Sequence, residues 1–217
     1  MKKDNNIDFI VTEESINLIN EIISKMENKT FHNHYHIIYD ICSSIQKEDV
    51  SYMEIGAYAG GSASLMSKHK KVKKILSLDI GRPINKEITI NNVNRFKHDK
   101  CLYEYVEGDS SQKHIIDLVK SKINDVDILF IDGDHSYGMV IKDFNNYKDL
   151  VSKNGFIIFD DYLDSIHSPD VFRAVNDIVK DLNTEEYQII GSIEYDLISK
   201  TNVPNFKSSN EFIIKKL

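Results

Sequence analysis

The sequence predicts an α/β fold: a doubly wound, mostly parallel sheet with helices on both faces, an antiparallel C-terminal edge and an N-terminal helical cover. Three observations predict it. From residue 51 onward, short apolar runs alternate with amphipathic stretches, and regular strand–helix alternation calls for parallel pairing through crossover helices. Before residue 51 the periodicity is helical, and in the tail strand-like runs follow one another without long helices between them. Each strand-like run of the central region is followed at once by acidic residues, at the end where open α/β sheets hold their ligands.

Residues 12–26 read as an amphipathic helix. Thr12 can cap it, Glu13 and Glu14 suit its positive end, and Ile16, Ile19, Ile22, Ile23 and Met26 share a face. A second helix over about 36–46 carries Ile37, Ile38, Ile41 and Ile45. Strands follow at 52–55, 75–79, 103–106, 127–131 and 156–159, with helices at about 61–69, 111–122 and 137–152. Asn154-Gly155 is a good stop for the last of these. Residues 83–100 are polar and read as loop plus one weak helix. Ser168-Pro169-Asp170 starts a further helix, with Val171, Phe172, Val175, Ile178, Val179 and Leu182 at helical spacing. Residues 187–193, 195–199 and 211–215 look like strands.

The 217 residues, 41% hydrophobic and 28% charged, suffice for one sizeable core and are too apolar for disorder. Asp plus Glu outnumber Lys plus Arg by 34 to 27, a net charge of −7 that argues against a protein whose main task is gripping nucleic acid or an anionic membrane. Two cysteines make neither a disulfide scaffold nor a zinc site. With no apolar run of signal or membrane-spanning length, a cytoplasmic location is expected. The abundance of Ile, Asn and Lys reads as genome bias.

The first strand runs into Glu54-Ile55-Gly56-Ala57-Tyr58-Ala59-Gly60-Gly61-Ser62. Glycines there let the backbone approach a ligand, and the following helix offers free N–H groups; a tight strand–helix turn with no ligand uses the same residues. The spacing is not that of the dinucleotide fingerprint, and no Lys-Ser/Thr pair marks a triphosphate loop. Asp79, after the second strand, can accept from both hydroxyls of a ribose or be a solvated strand end. Asp109 and Ser110, after the third, can read an adenine amino group, cap the next helix, or do both.

Together Glu54–Gly61, Asp79 and Glu107–Ser110 resemble the nucleoside-binding series of class I S-adenosylmethionine-dependent methyltransferases. Phe130-Ile131-Asp132-Gly133-Asp134-His135-Ser136-Tyr137, followed by Gly155-Phe156-Ile157-Ile158-Phe159-Asp160-Asp161-Tyr162, resembles the metal-dependent O-methyltransferases of the macrocin and novobiocin sugar-modifying type, and more distantly the catechol O-methyltransferases. The likeness covers roughly 51–182 and, more weakly, the tail. It implies a Rossmann-like seven-stranded sheet, with 51–217 as the S-adenosylmethionine-binding domain; residues 1–50, whose two helices precede the first strand, carry no family signal and are expected as its cover. It implies cofactor contacts from Glu54, Gly56, Gly60, Gly61, Ser62, Asp79, Asp109 and Ser110. It implies Mg²⁺ on Asp132, Asp160 and Asp161, and a base at Asp134, the choice of the sugar-methylating relatives, or at His135. Three carboxylates gathered from two neighbouring strands would repel one another, and a hard dication resolves this. The acceptor implied is a small molecule, a sugar or nucleotide sugar; a homodimer through the N-terminal helices is a further expectation.

Two other classes remain open: a nicotinamide-dependent oxidoreductase on the same layered fold, and a nucleoside-binding module without catalysis. His32, His34 and His36 have ligand-like spacing but read better as polar residues near the site or on the surface. Tyr58 and Tyr162 can pack on a ligand or belong to core and rim. The basic run 68–74 reads as a solvated turn, and Asn28-Lys29-Thr30 as a sequon without consequence.

Overall fold

A computed structural model describes residues 13–28, 35–193 and 211–217. Thr12, His32, His34, the Asn28–Thr30 sequon beyond its first residue and the expected strand at 195–199 lie outside them. The chain runs α1 (Glu13–Lys25), α2 (His36–Ser44), β1 (Val50–Ile55), α3 (Gly61–Lys68), β2 (Val72–Asp79), α4 (Lys86–Phe96), β3 (Leu102–Glu107), α5 (Lys113–Lys122), β4 (Val126–Ile131), α6 (Tyr137–Tyr147), β5 (Val151–Phe159), α7 (Pro169–Asp181), β6 (Tyr187–Ile193) and β7 (Glu211–Lys216). The sheet order is β3-β2-β1-β4-β5-β7-β6. The first five strands are parallel, and β7 pairs antiparallel with both β5 and β6.

Side-chain alternation along the strands feeds two cores. Tyr52, Ile75, Phe130, Ile158 and Ile213 face α1–α4, where they meet Ile19, Ile22, Ile38, Ile41, Leu65 and Val93. Met53, Leu76, Leu129, Ile157 and Ile214 face α5–α7, against Val119, Phe144 and Val175. α1 and α2 therefore cover the same face as α3 and α4. Among the described residues no helix is long and apolar enough to cross a membrane.

Two segments differ from expectation. Residues 86–96 form a full helix, capped by the Asn85 side chain, which accepts from Glu87 N at 2.9 Å. Its buried face carries Thr89 and Asn92, so apolar periodicity is a poor guide to it. Asn154-Gly155 does not end α6. That helix passes into a 3-10 turn at Lys148–Leu150, and the Asn-Gly pair lies inside β5, where the pairing with β4 slips between Val126 and Ile128. Asn154 has φ +65°, so the turn chemistry is real but serves an irregular strand.

The topology positions the site. From β1 the chain moves outward through β2 and β3, then returns to the other side of β1 to make β4 and β5, leaving the switch point between β1 and β4. Hydrogen bonding continues past the strand ends: Gly56 N donates to Leu78 O (2.8 Å), Asp132 N to Ile55 O (2.8 Å), Asp160 N to Ile131 O (3.0 Å) and Gly108 N to Asp79 O (2.8 Å). The tips of five adjacent strands thus stand side by side.

Candidate active site

A cavity of about 660 Å³ opens over these tips, a size suited to a nucleoside-sized ligand with room beside it. Gly56, Gly61, Asp79, Asp109 and Ser110 line one part, and Asp132, Asp134 and His135 another. Glu54, Ser62, Asp160 and Asp161 are buried and, like Gly60, do not line it.

The glycine turn is built by packing. Gly56 has φ +88°, and a Cβ on it would fall 1.8 Å from the carbonyl oxygen of Asp132, so the tip of β4 excludes any side chain there. Of the two readings left open by the sequence, close approach to a ligand and a tight turn, the second accounts for Gly56: the protein's own backbone requires it. Gly60 has φ +81° and abuts Val93 and Thr89 of α4. Thr89 donates from Oγ1 to the carbonyl of Tyr58, which sits at φ +43° with its ring lining the cavity.

Glu54 points into the α3 face of the sheet, wholly buried. Its carboxylate accepts from Tyr52 Oη (2.9 Å), Ser62 Oγ (2.5 Å) and Ser77 Oγ (2.6 Å). Burial raises its pKa to about 7 against the pull of these donors. Glu54 and Ser62, expected as ligand contacts, tie the first turn of α3 to β1 and β2. Asp79 faces the cavity and clamps two loops: Oδ2 accepts from Ala57 N (2.8 Å) and Tyr58 N (2.9 Å), and Oδ1 from Gly81 N (2.7 Å). Asp109 holds the turn into α5 through Ser111 N and Oγ, both at 2.8 Å, and those bonds keep its pKa below the ordinary range.

At the β4 and β5 tips, Asp132 is the hub. Tyr35 Oη donates to its Oδ2 and His135 Nε2 approaches its Oδ1, each at 3.3 Å. Burial first, then the Asp160 carboxyl within hydrogen-bonding reach and the charge of Asp161, hold Asp132 well above the usual carboxylate range. Asp161 sits at φ +56°, a left-handed conformation that turns its side chain back toward His135, 3.4 Å from Nδ1. The three acidic residues therefore converge, with His135 against two of them. Among the described residues, however, no group of three His, Cys, Asp or Glu side chains is arranged as a finished metal cage. Asp134 is exposed; its Oδ1 accepts from Ser136 N (2.8 Å), which lowers its pKa and makes it a weak base. His135 has the better position.

Tyr35 and Ser168 are site residues that sequence reasoning missed. Tyr35 precedes α2 and carries no motif; Ser168 reads only as a helix start. Met139 and Arg82 also line the cavity. Tyr162 is core, packed on Phe172 and Phe212 with ring centroids 5.0 and 4.6 Å away. The basic run serves structure: Lys68 pairs with Glu21, and Lys71 Nζ donates to Ile45 O at 2.7 Å.

Residues 53–162, just over half of the 217, match the family described as Methyltransferase domain. The chain belongs to that methyltransferase family. The methyltransferase is also 37% identical over 204 residues to an uncharacterized protein of Acanthamoeba polyphaga mimivirus, covering 89% of this chain and 91% of that one. Its fold is shared with an O-methyltransferase from Bacillus cereus solved in complex with S-adenosylhomocysteine (TM-score 0.63, 15% identity, 97% of this chain and 93% of that one). It is shared too with the MycE methyltransferase of mycinamycin biosynthesis, solved with Mg, S-adenosylhomocysteine and mycinamycin VI (0.60, 16%, 92% and 54%). An rRNA methylase from Streptococcus thermophilus has it as well (0.61, 9%, 87% and 99%). The methyltransferase thus has the seven-stranded, S-adenosylmethionine-dependent fold, and at these identities the solved structures speak to fold alone.

Proposed function

We propose that this methyltransferase moves the methyl group of S-adenosylmethionine to a hydroxyl of a sugar or another small polyol, with Mg²⁺ at Asp132, Asp160 and Asp161. One observation carries the reading: a single cavity joins the Gly56–Asp79 wall to a crowded group of carboxylates that has a histidine beside it. The donor set fits a hard dication. All the ligands are oxygens, and Asp132 and Asp160 are close enough to disfavour each other's charge. When bound, Mg²⁺ supplies positive charge that lowers the pKa of a nearby hydroxyl, while the sulfonium carries an already activated methyl.

The chain's own residues do the rest. Asp79 and the Gly56 turn shape the donor wall, and the loop they clamp keeps donor and acceptor in line, which matters most for a displacement. Tyr35, buried against Phe130, closes the acceptor end and donates to Asp132. His135 takes the hydroxyl proton on Nε2. Charge balances: the positive charge lost at sulfur reappears on the imidazolium. A vicinal diol suits this end of the cavity, because two oxygens can engage one hard cation.

The test is calorimetry followed by turnover. S-adenosylhomocysteine is expected to bind and NAD not to. Methyl transfer to a panel of nucleotide sugars and catechols is then expected with Mg²⁺ and not with EDTA. Binding of NAD alone would overturn the proposal, and transfer at full rate in EDTA would remove the metal from it.

A further inference from the structure

One face of α6 is turned to the loop that follows β3. Asp143, Asn146 and Tyr147 stand at i, i+3 and i+4 on that helix. Tyr147 Oη donates to the carbonyl of Ser110 at 2.8 Å, and Asn146 Nδ2 approaches the same oxygen at 3.4 Å. Ser110 in turn lines the cavity. The helix therefore grips the cavity wall at Ser110 from behind.

The third residue of that face is unpaired. Asp143 is 1% exposed, and among the described residues neither of its carboxyl oxygens has a hydrogen-bond partner. A buried carboxyl left in that state is rare and costly. Its place is definite. A Cβ built on Gly133, a glycine of the cavity wall at the β4 tip, would fall 3.4 Å from Asp143 Oδ2. The Ser110 hydroxyl stands beside the carboxyl without a completed hydrogen bond. Burial lifts the pKa of Asp143 to about 7, the Ser110 hydroxyl draws it down, the charges of Asp109 and Asp134 raise it, and Lys142 lowers it. Asp109, the acidic residue next to Ser110 in the chain, is already engaged by Ser111 N and Oγ.

A serine hydroxyl has one proton to give and two lone pairs. We propose that Asp143 is a positioning residue: it accepts the Ser110 O–H behind the cavity wall and so turns a Ser110 lone pair inward, to accept from the exocyclic amine of the adenine ring. This deepens the proposed S-adenosylmethionine site and rests on that reading. With its proton committed, Ser110 pairs with an N–H and meets a carbonyl lone pair against lone pair. The site thereby prefers a 6-amino purine to a 6-oxo one, and Asp143 supports that preference without touching the ligand.

The experiment is calorimetry at mildly alkaline pH, where Asp143 is mostly ionised. It compares S-adenosylhomocysteine with S-inosylhomocysteine, which carries an oxygen in place of the amine. The wild type is expected to bind the adenosyl compound roughly tenfold more tightly, the factor that one net hydrogen bond supplies. Asp143→Ala and Ser110→Ala should each bring that ratio within about threefold of one, and the double variant should go no further, because the two residues act as a unit. A carboxyl that served packing alone would weaken both ligands alike and leave the ratio where it was. An unchanged ratio in folded D143A overturns the proposal. Should D143A fail to fold, Asp143→Val, which fills the space without a polar atom, is measured in its place. If neither folds, S110A decides, and an unchanged ratio there overturns the proposal. Equal binding of both compounds by the wild type removes the role of Asp143 and leaves the donor-site reading standing. Binding of neither removes the donor-site reading and this proposal with it.

Discussion

A methyl group added at position 56 has nowhere to go. The Asp132 carbonyl stands 1.8 Å from where it would sit, and φ is +88°. Gly56→Ala is therefore expected to cost on the order of 4 kcal/mol, the range of backbone clashes that cannot relax, and to weaken S-adenosylhomocysteine binding more than tenfold. Urea unfolding and calorimetry check this; a variant within about 1 kcal/mol of wild type would show that the turn yields. Glu54 gives a prediction in pH. Its carboxyl ionises near 4.5 in the unfolded chain and near 7 when folded. The stability it contributes is thus fully present below pH 4.5 and lost as pH rises to about 7, on the order of 3 kcal/mol in all. Glu54→Gln should flatten the pH dependence of stability over that window, as thermal unfolding will read. Both residues were visible in the sequence as a motif, yet their physical reason was not: sequence spacing locates a turn, but only the neighbouring strand tip and the buried hydroxyls of Tyr52, Ser62 and Ser77 say what the turn is held by.

Among the elements, α4 was least legible, because its inward face works through hydrogen bonds. Asn92, 1% exposed, donates from Nδ2 to Glu27 O (3.0 Å) and Ala59 O (2.9 Å), and its Oδ1 accepts from Glu27 N (3.0 Å). One side chain thereby joins α4, the segment after α1 and the glycine turn. Asn92→Ala is expected to cost about 2 kcal/mol by leaving buried backbone groups unpaired, and to speed hydrogen exchange at Glu27 N. Unchanged exchange there would contradict the tie. The parallel strands, by contrast, were plain from their short apolar runs, and their ends came out close to expectation. β5 starts at Val151 rather than Phe156, because a turn signal such as Asn154-Gly155 does not tell a helix stop from an irregularity within a strand. Ser168 repeats the lesson: residue type and position called for a helix cap, and contacts with His135 and Asp161 drew the hydroxyl away.

At the scale of the molecule, alternation implied a parallel sheet with the fourth and fifth strands as neighbours, and the pairing of β4 with β5 brings Asp132, Asp160 and Asp161 to two adjacent tips. Tyr35, from outside the matched region, could not be placed from sequence because nothing local says where α2 docks. The crowding has a measurable consequence. Mg²⁺ at a hundred times its dissociation constant should stabilise the wild type by about 2.7 kcal/mol, read as a rise in melting temperature. Asp160→Asn should make the metal-free protein more stable by about 1 kcal/mol, since one of the repelling charges is gone, and should cut the response to Mg²⁺. Equal responses in the two proteins would sink the assignment.

The switch point between β1 and β4 also divides labour along the chain. One wall of the cavity comes from the loops after β1, β2 and β3, and the opposite rim from Tyr35 and from the segment after β4 that carries His135 and Met139. Mutations that recast which acceptor is methylated can therefore accumulate on one bank of the crevice while the other bank stays untouched. Such modularity lets one chassis drift among substrates without having to relearn how to grip its methyl carrier.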